Sequence, residues 1–451
     1  MNLHRLLGQR AEHNQPLRVL LIGAGKFGSM FLAQARRTSG IHVVAVADLS
    51  PQRARESLAR AGWESGRYDA RTLDEAAKNG TTCVTDDAEA AIASGAMEIV
   101  IDATGSTAAG IRHALACIKH GKHIVMVNVE ADCLAGPLLA RRAREAGVIY
   151  SLAYGDQPAL ICEMVDWARA AGFEVAAAGK GTKYLPAYHD STPDTVWNHY
   201  GFSPEQVTRG DYNAQMFNSF LDGTKSAIEM AAVANATGLT PAPDGLSFPP
   251  CGVDNLPRVL KPAPDGGRLH HRGQVEVVSS LERDGKPVSR DLRWGVYVTF
   301  AADSDYVKRC FGEYGLVTDE SGNYAAMYKP YHLIGLELGI SVASVGLRGE
   351  PTGAATGFRG DVVAVAKREL KAGETLDGEG GYTVWGRLMP AKDSLARGGL
   401  PIGLAHGVRL TRAIGKGEVV GWRDIALPES EAARVRLEME ALFAAEWGLH
   451  Q

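Results

Sequence analysis

The chain has 451 residues, 45% hydrophobic and 22% charged, with a formal net charge of -4. That profile is expected of a globular protein of two or three domains, and its slight acidity gives no electrostatic footprint for nucleic acid or an anionic membrane. No apolar run approaches a membrane span, no signal-peptide core opens the chain, and the six cysteines show neither disulfide nor metal-ligand spacing, so the expected compartment is the cytoplasm.

Residues 1–16 read as a short amphipathic leader ending at Pro16. "LRVLLIGAG" follows, a continuous apolar run ending in glycines, as a strand buried on both faces of a parallel sheet should be. "KFGSMFLAQARRT" has helical spacing, "IHVVAVADLS" is a second buried strand, and "PQRARESLARAG" opens a helix with Pro51 in its first turn. "EIVIDATG" (98–105), "KHIVMVNVE" (122–130) and "GVIYSLAYG" (147–155) are further strands separated by helical segments. Alternating βαβ units imply an α/β, Rossmann-type doubly wound parallel sheet over residues 17–160.

The next segment, 161–350, is mixed and predicts an α+β catalytic domain. "FEVAAAGKG" (173–181) is strand-like, and "SFLDGTKSAIEMAAVANATGL" (219–239) continues as an Ala-rich helix ending at Gly238. Residues 241–270, rich in Pro and Gly, predict loop, and "WGVYVTF" (294–300) alternates like a half-buried strand. In 351–428 the stretches "AVAKRELKAGETLDG" and "RLTRAIGKGEVVGWRDIAL" share one pattern, with Ala372-Gly373-Glu374 in the first and Lys416-Gly417-Glu418 in the second. Each reads as strand, tight glycine turn, strand, so this part predicts a small all-β module. The charged tail from Pro428 (429–451) predicts an amphipathic helix.

The glycine cluster carries the first chemistry. Gly23 would allow the tight turn after the strand, Gly25 the approach of backbone to a pyrophosphate, and Gly28 close packing of helix on sheet. The first-turn N–H groups of the helix, from Lys26 and Phe27 onward, then face the phosphates. Asp48 ends the second strand about twenty residues further on, where a carboxylate binds a ribose 2′-hydroxyl. NAD is therefore favoured over NADP as cofactor, although Arg53 and Arg55 stand close enough in sequence to meet a 2′-phosphate. The turn with Thr104 and Gly105, and the Asn128–Glu130 stretch of "NVEAD", end the following strands, at the sheet edge where ribose and nicotinamide lie.

Three other clusters are candidates for the reaction. "GKGTKYLPAYHDSTPD" (179–194) reads as a donor-rich loop in which Lys180, Tyr184 and His189 bind an anionic or polyhydroxylated substrate and Lys183 acts as acid or base; a solvated loop with aromatic anchors would look the same. Asp222 and Lys225 open the Ala-rich helix, a lysine beside an orienting carboxylate that would shuttle an alcohol proton, or else a surface ion pair. His332 in "YKPYHL" is a further substrate-binding candidate. No metal site is expected. A small-molecule substrate and a homodimer or higher homo-oligomer are expected as partners.

"GAGKFG", "VADLS", "EIVIDATG" and "GKHIVMVNVEAD" together resemble the Rossmann domain of homoserine-dehydrogenase-like oxidoreductases. The module with "LKAGETLDG" resembles a SAF domain, the small β-clip type also seen in sialic-acid synthases and antifreeze proteins. Joined in one chain with "GVIYSLAYGDQP", "FLDGTKSAIEMAAVANATGL" and "KPYHL", they resemble the deoxyxylulose-phosphate-reductoisomerase-like family over most of residues 15–425. The resemblance implies a nicotinamide-dependent enzyme with a Rossmann domain, a central catalytic and dimerisation domain, and a SAF-like tail. One member of that family is thought to convert 1-deoxy-D-xylulose 5-phosphate to methylerythritol phosphate with NADPH. Homoserine-dehydrogenase-like enzymes instead oxidise a small hydroxy acid with a Lys near an Asp, the arrangement that Asp222 and Lys225 match. Asp48, and the Tyr- and His-rich stretch after Lys180, depart from an NADPH reductoisomerase. The expected function is hydride transfer between NAD(P) and a small polar hydroxy or keto compound, a sugar phosphate or hydroxy acid, with isomerisation in the reductoisomerase case. The alternatives are an epimerase or lyase with tightly bound NAD, and an NAD(H)-binding sensor.

Overall fold

A computed structural model describes residues 2–210, 212–426 and 429–449, in two compact units. The first comprises the chain up to Glu163 together with His332–Thr356; the second comprises Met164–Tyr331 and the residues from Gly357 onward.

The first unit is built on a six-stranded parallel sheet. Its strands are β1 (Leu17–Ile22), β2 (Ile41–Ala47), β3 (Cys83–Thr85), β4 (Ile99–Asp102), β5 (His123–Met126) and β6 (Tyr150–Leu152). Their order, β3-β2-β1-β4-β5-β6, is that of a dinucleotide-binding sheet, and the order reverses between β1 and β4, where Ile22 lies beside Asp102. The apolar runs read as doubly buried strands are just that: Val19–Leu21, Val43–Ala47 and Ile99–Ile101 all lie in the core.

The leader is a helix, Leu3–Glu12, that buries Leu3 and Leu7 in this core. The sequence-based boundary puts residues up to 350 in the catalytic domain, but His332–Thr356 returns to the first unit. Its helix, Gly339–Arg348, brings Val342, Ala343 and Val345 into the same core, and a Cβ at Gly346 would stand 2.6 Å from the Leu17 side chain. The apolar spacing of that helix announces a buried face but not which sheet covers it.

The second unit contains a mixed four-stranded sheet, β10-β9-β7-β8, with β7 (Glu174–Thr182) parallel to β8 (Gln274–Ser279) and antiparallel to β9 (Val296–Ala301), which pairs with β10 (Tyr324–Lys329). Sitting between two neighbours, β9 is buried at all six positions rather than on alternate ones. Residues 241–270 are not all loop: a one-turn helix, Leu256–Val259, buries Leu256, and Leu260 and Leu269 join it against Tyr297.

In the C-terminal module β11 (Gly360–Ala366) pairs with β13 (Val384–Pro390), and β12 (Thr375–Asp377) with β14 (His406–Arg409), both antiparallel. The two sequence copies meet reciprocally. Leu370 and Ile414 exchange both backbone bonds, Gly373 N donates to the Leu410 carbonyl as Gly417 N does to that of Ala366, and Glu374 and Glu418 each accept from a turn amide. The repeat is thus a local two-fold, each copy completing the other's strand. Pro428, where the tail was expected to begin, lies outside the described residues; the helix runs Glu431–Glu446. It buries Arg436, whose guanidinium grips the Asp361 carboxylate of β11 at 2.5 and 3.0 Å and also bonds Glu440 at 2.7 Å. The whole is an α/β protein in which the parallel sheet is followed by a mixed-sheet domain and small antiparallel sheets.

Candidate active site

In the first unit the three glycines each have a separate reason. Gly23 has φ +96° and a Cβ there would lie 2.6 Å from the Ala103 carbonyl, so it lets the loop after β1 press against the loop after β4. A Cβ at Gly28 would fall 2.2 Å from the Gly23 carbonyl, so the helix Lys26–Ala35 could not seat. Gly25 is different: a Cβ there would meet no protein atom within 4 Å, and its φ of -70° suits any residue. Its want of a side chain keeps open the space before a helix N-terminus that no side chain caps. That is what a pyrophosphate needs, and the first-turn amides at exposed Lys26, half-buried Phe27 and Gly28 are the groups that would hold it.

Asp48 does not present its carboxylate as expected. The side chain is 1% exposed and already accepts from Ala24 N at 2.8 Å, Ser50 N at 2.9 Å, and Arg53 Nη2 on both oxygens at 2.7 and 2.9 Å. Burial pushes this carboxyl up, but the bonds from Arg53, Ser50 and Ala24 outweigh it and hold it below its ordinary range. The exposed group at this corner is Arg53, 59% exposed. The reason is local: Ser50 caps the helix Pro51–Arg60 and sets Arg53 in its first turn, back over Asp48.

The turn after β4 is organised from below. Buried Asp102 accepts from Thr104 N and Oγ1 at 3.2 and 2.9 Å, and its other oxygen meets His113 Nδ1 at 2.5 Å. Asn128, 2% exposed, caps the helix Val129–Glu145 through Ala131 N and donates to the Ser106 carbonyl at 2.8 Å and to Thr104 Oγ1 at 3.3 Å. It therefore ties two loops at the carboxyl edge rather than offering free donors. Gly105, with φ +68°, is exposed, and Glu130 is half-buried on the first turn of that helix. Asp132, two residues on, is fully buried, and burial pushes its carboxyl up to about 7, against the opposing bond from Tyr150 Oη at 3.0 Å. His332 is half-buried where the returning segment of this unit begins.

The second unit rearranges the remaining candidates. Where the strand-like reading of 173–181 and the loop reading of 179–194 overlap, the strand holds: β7 runs to Thr182, and its glycines serve close approach, since a Cβ at Gly179 would strike the Glu276 carbonyl and one at Gly181 that of Leu292. Lys180, on the opposite face, is 6% exposed and is bonded to buried Glu229 of the helix Thr224–Thr237. Lys183 donates to the His199 carbonyl and lies 5.6 Å over the Tyr200 ring; burial, then Arg293, lowers its pKa.

His189, Tyr184 and Asp222 do come together. The Asp222 carbonyl can only accept, so His189 Nδ1 donates to it at 2.7 Å, and Nε2 accepts from Tyr184 Oη at 2.9 Å. The ring stacks on Trp385 at 3.9 Å, and burial lowers its pKa, keeping this neutral tautomer. The carboxylate of Asp222 faces Lys367 at 2.7 Å and accepts from Thr224 N at 2.9 Å; Lys225 is not its partner. Lys225 is half-buried in the first turn of the helix, after Gly223 at φ +91°.

Lys367 was not foreseen. Its ammonium, 2% exposed at the end of β11, also donates to the Ser191 and Gly381 carbonyls at 2.8 Å each. The available signal was a lysine ending the apolar run "VVAVAK". No group of three or more His, Cys, Asp and Glu able to hold a metal occurs among the described residues.

Comparison with known families now adds to this geometry. A model of the homoserine dehydrogenase NAD-binding domain matches residues 23–152, and one of the oxidoreductase DRL catalytic domain matches residues 155–338. The chain joins an NAD-binding domain to a DRL oxidoreductase catalytic domain. No model marks the β-module as a SAF domain, and no curated protein matches the chain. Among solved structures, an oxidoreductase of Agrobacterium radiobacter solved with NAD+, L-tartaric acid and magnesium is 16% identical, with 37% of this chain and 44% of that one covered and a TM-score of 0.27. The WlbA dehydrogenase of Bordetella pertussis, solved with NADH and UDP-GlcNAcA, is 16% identical, with 38% and 49% covered and a TM-score of 0.27. The chain spans about half the length of such structures, and at these scores the likeness carries nothing further.

Proposed function

We propose that the protein is an NAD(P)-dependent oxidoreductase acting on a small polar hydroxy or keto compound, a sugar phosphate or a hydroxy acid, with isomerisation coupled in the reductoisomerase case. The observation that supports this most is the glycine loop, kept clear at Gly25 before an uncapped helix, in a chain that also carries a DRL catalytic domain. The cofactor, when bound, supplies or accepts the hydride. The chain's own part is to hold the pyrophosphate on the amides after Gly25, to fix Thr104 and Gly105 through Asp102 and Asn128, and to move the substrate's hydroxyl proton at Lys225 Nζ. Lys180 acts by positioning, because its bond to Glu229 fixes the helix on which Lys225 sits one turn earlier. Arg53, lying across Asp48 yet 59% exposed, supports a ribose corner that takes a 2′-phosphate as well as a 2′-hydroxyl, and so NADP(H) beside NAD(H) as cofactor.

The same reading takes the β-module as SAF-like and the protein as a cytoplasmic homodimer. Cys83, Cys117, Cys251 and Cys310 form no disulfide, and Trp294, Tyr328 and Tyr331 are exposed on and beside β9 and β10. No described helix is long and apolar enough to cross a membrane.

The test follows nicotinamide absorbance with both cofactors across a panel of phosphorylated ketoses and hydroxy acids, alongside calorimetric cofactor binding. Turnover should appear with one class and fall about a hundredfold in Lys225→Ala with cofactor affinity unchanged. A chain that binds neither cofactor and turns over nothing refutes the proposal; a Lys225→Ala variant with full turnover refutes the role of that residue alone.

A further inference from the structure

A concavity opens in the first unit at the end of its sheet opposite the glycine loop. It has a volume of about 590 Å³ and is lined by the residues that begin β2, by those that follow the helix Lys26–Ala35, and by the segment around Trp63. Three arginines converge on it from separate elements: Arg36 and Arg37 just past the helix, and Arg67 on the turn Ser65–Arg67. All three are exposed, and none makes an ion pair with any described residue. Glu64 is the one acidic side chain in the lining.

The groove is shaped as well as charged. Gly62, at φ +83°, lies under the Arg36 guanidinium, and a Cβ there would stand 3.2 Å from its Cζ. Trp63 spends its indole N–H on the Leu32 carbonyl at 3.0 Å, which fixes its ring in the wall. His42 turns Nε2 to the Thr81 carbonyl at 2.7 Å. Arg36 and Arg37 also offset the negative end of the helix they follow. Arg67 has no such task, yet it faces the same space.

We propose that this groove is a second anion site that takes a small organic phosphate, separate from the dinucleotide loop. Its size suits a metabolite-sized ligand, guanidinium forks match phosphate geometry, and the Trp63 ring offers an apolar wall to the organic part. One helix of ten residues, about 15 Å long, has the glycine loop at its start and the groove at its end, so the two anion sites stand at opposite ends of one element.

The test is calorimetric titration of the full chain at low salt with pyrophosphate and with AMP, each in the presence and absence of saturating NADPH. One equivalent should bind with NADPH present, and AMP should bind more tightly than pyrophosphate. Affinity should fall at least tenfold in Arg36→Ala/Arg67→Ala, and equally in Ser39→Glu, which places a carboxylate at the rim without removing a contact; unchanged melting temperatures show that both variants fold. Binding that NADPH abolishes, binding that survives both variants, or no binding at all overturns the proposal.

Discussion

Asp132→Asn tests the least expected group of the first unit. The carboxyl is 1% exposed, and burial raises its pKa from 3.8 to about 7. Below pH 4 the folded and unfolded chains both hold the proton, and stability is at its full value. Between about pH 4 and 7 the unfolded chain releases the proton while the folded one keeps it, so stability falls as pH rises, and it levels off above the folded pKa. A shift of roughly three pK units, at about 1.4 kcal/mol each, sets the total loss near 4 kcal/mol as an upper figure. Asparagine keeps the acceptor for Tyr150 Oη and has no proton to lose. Urea unfolding of both proteins at pH 4, 6 and 8 should therefore show the variant gaining on wild type by about 2–4 kcal/mol across the range. Tyr150→Phe removes the bond that opposes the shift and should steepen the wild-type loss. Parallel stability curves for wild type and Asp132→Asn would refute the assignment of a buried, protonated acid at this position.

Two further outcomes follow from the contacts. Lys367→Met leaves the Asp222 carboxylate buried without its cation and should cost about 3–5 kcal/mol by chemical denaturation, with at least a third of that recovered in Lys367→Met/Asp222→Asn; strict additivity would refute the pairing. Gly25→Ala and Gly28→Ala should separate ligand space from packing space: the first lowers dinucleotide affinity at least tenfold at an unchanged melting temperature, while the second lowers both. Normal dinucleotide binding by Gly25→Ala would exclude the pyrophosphate from that position.

The nucleotide fold was legible because its signals are local. A continuous apolar run, a glycine cluster and a carboxylate at the next strand's end are set by the chain's own spacing, and five of the six parallel strands and the separate uses of Gly23 and Gly28 agree with it; the three-residue β3 and the strand order were not in that reading. The doubled pattern in the C-terminal module was equally visible, because both glycine turns are local; that Leu370 should bond Ile414 was not.

Tertiary structure decided which ionisable groups are available. Sequence spacing set Lys225 beside Asp222 and gave Lys180 to a substrate, whereas long-range packing gave Asp222 to Lys367, 145 residues away, and Lys180 to Glu229, 49 residues away. Spacing likewise set Asp48 before a ribose, while a single helical turn laid Arg53 across it. A buried charge must find a counter-charge wherever the fold supplies one, and the identity of that partner is a property of the packed molecule rather than of any stretch of its sequence.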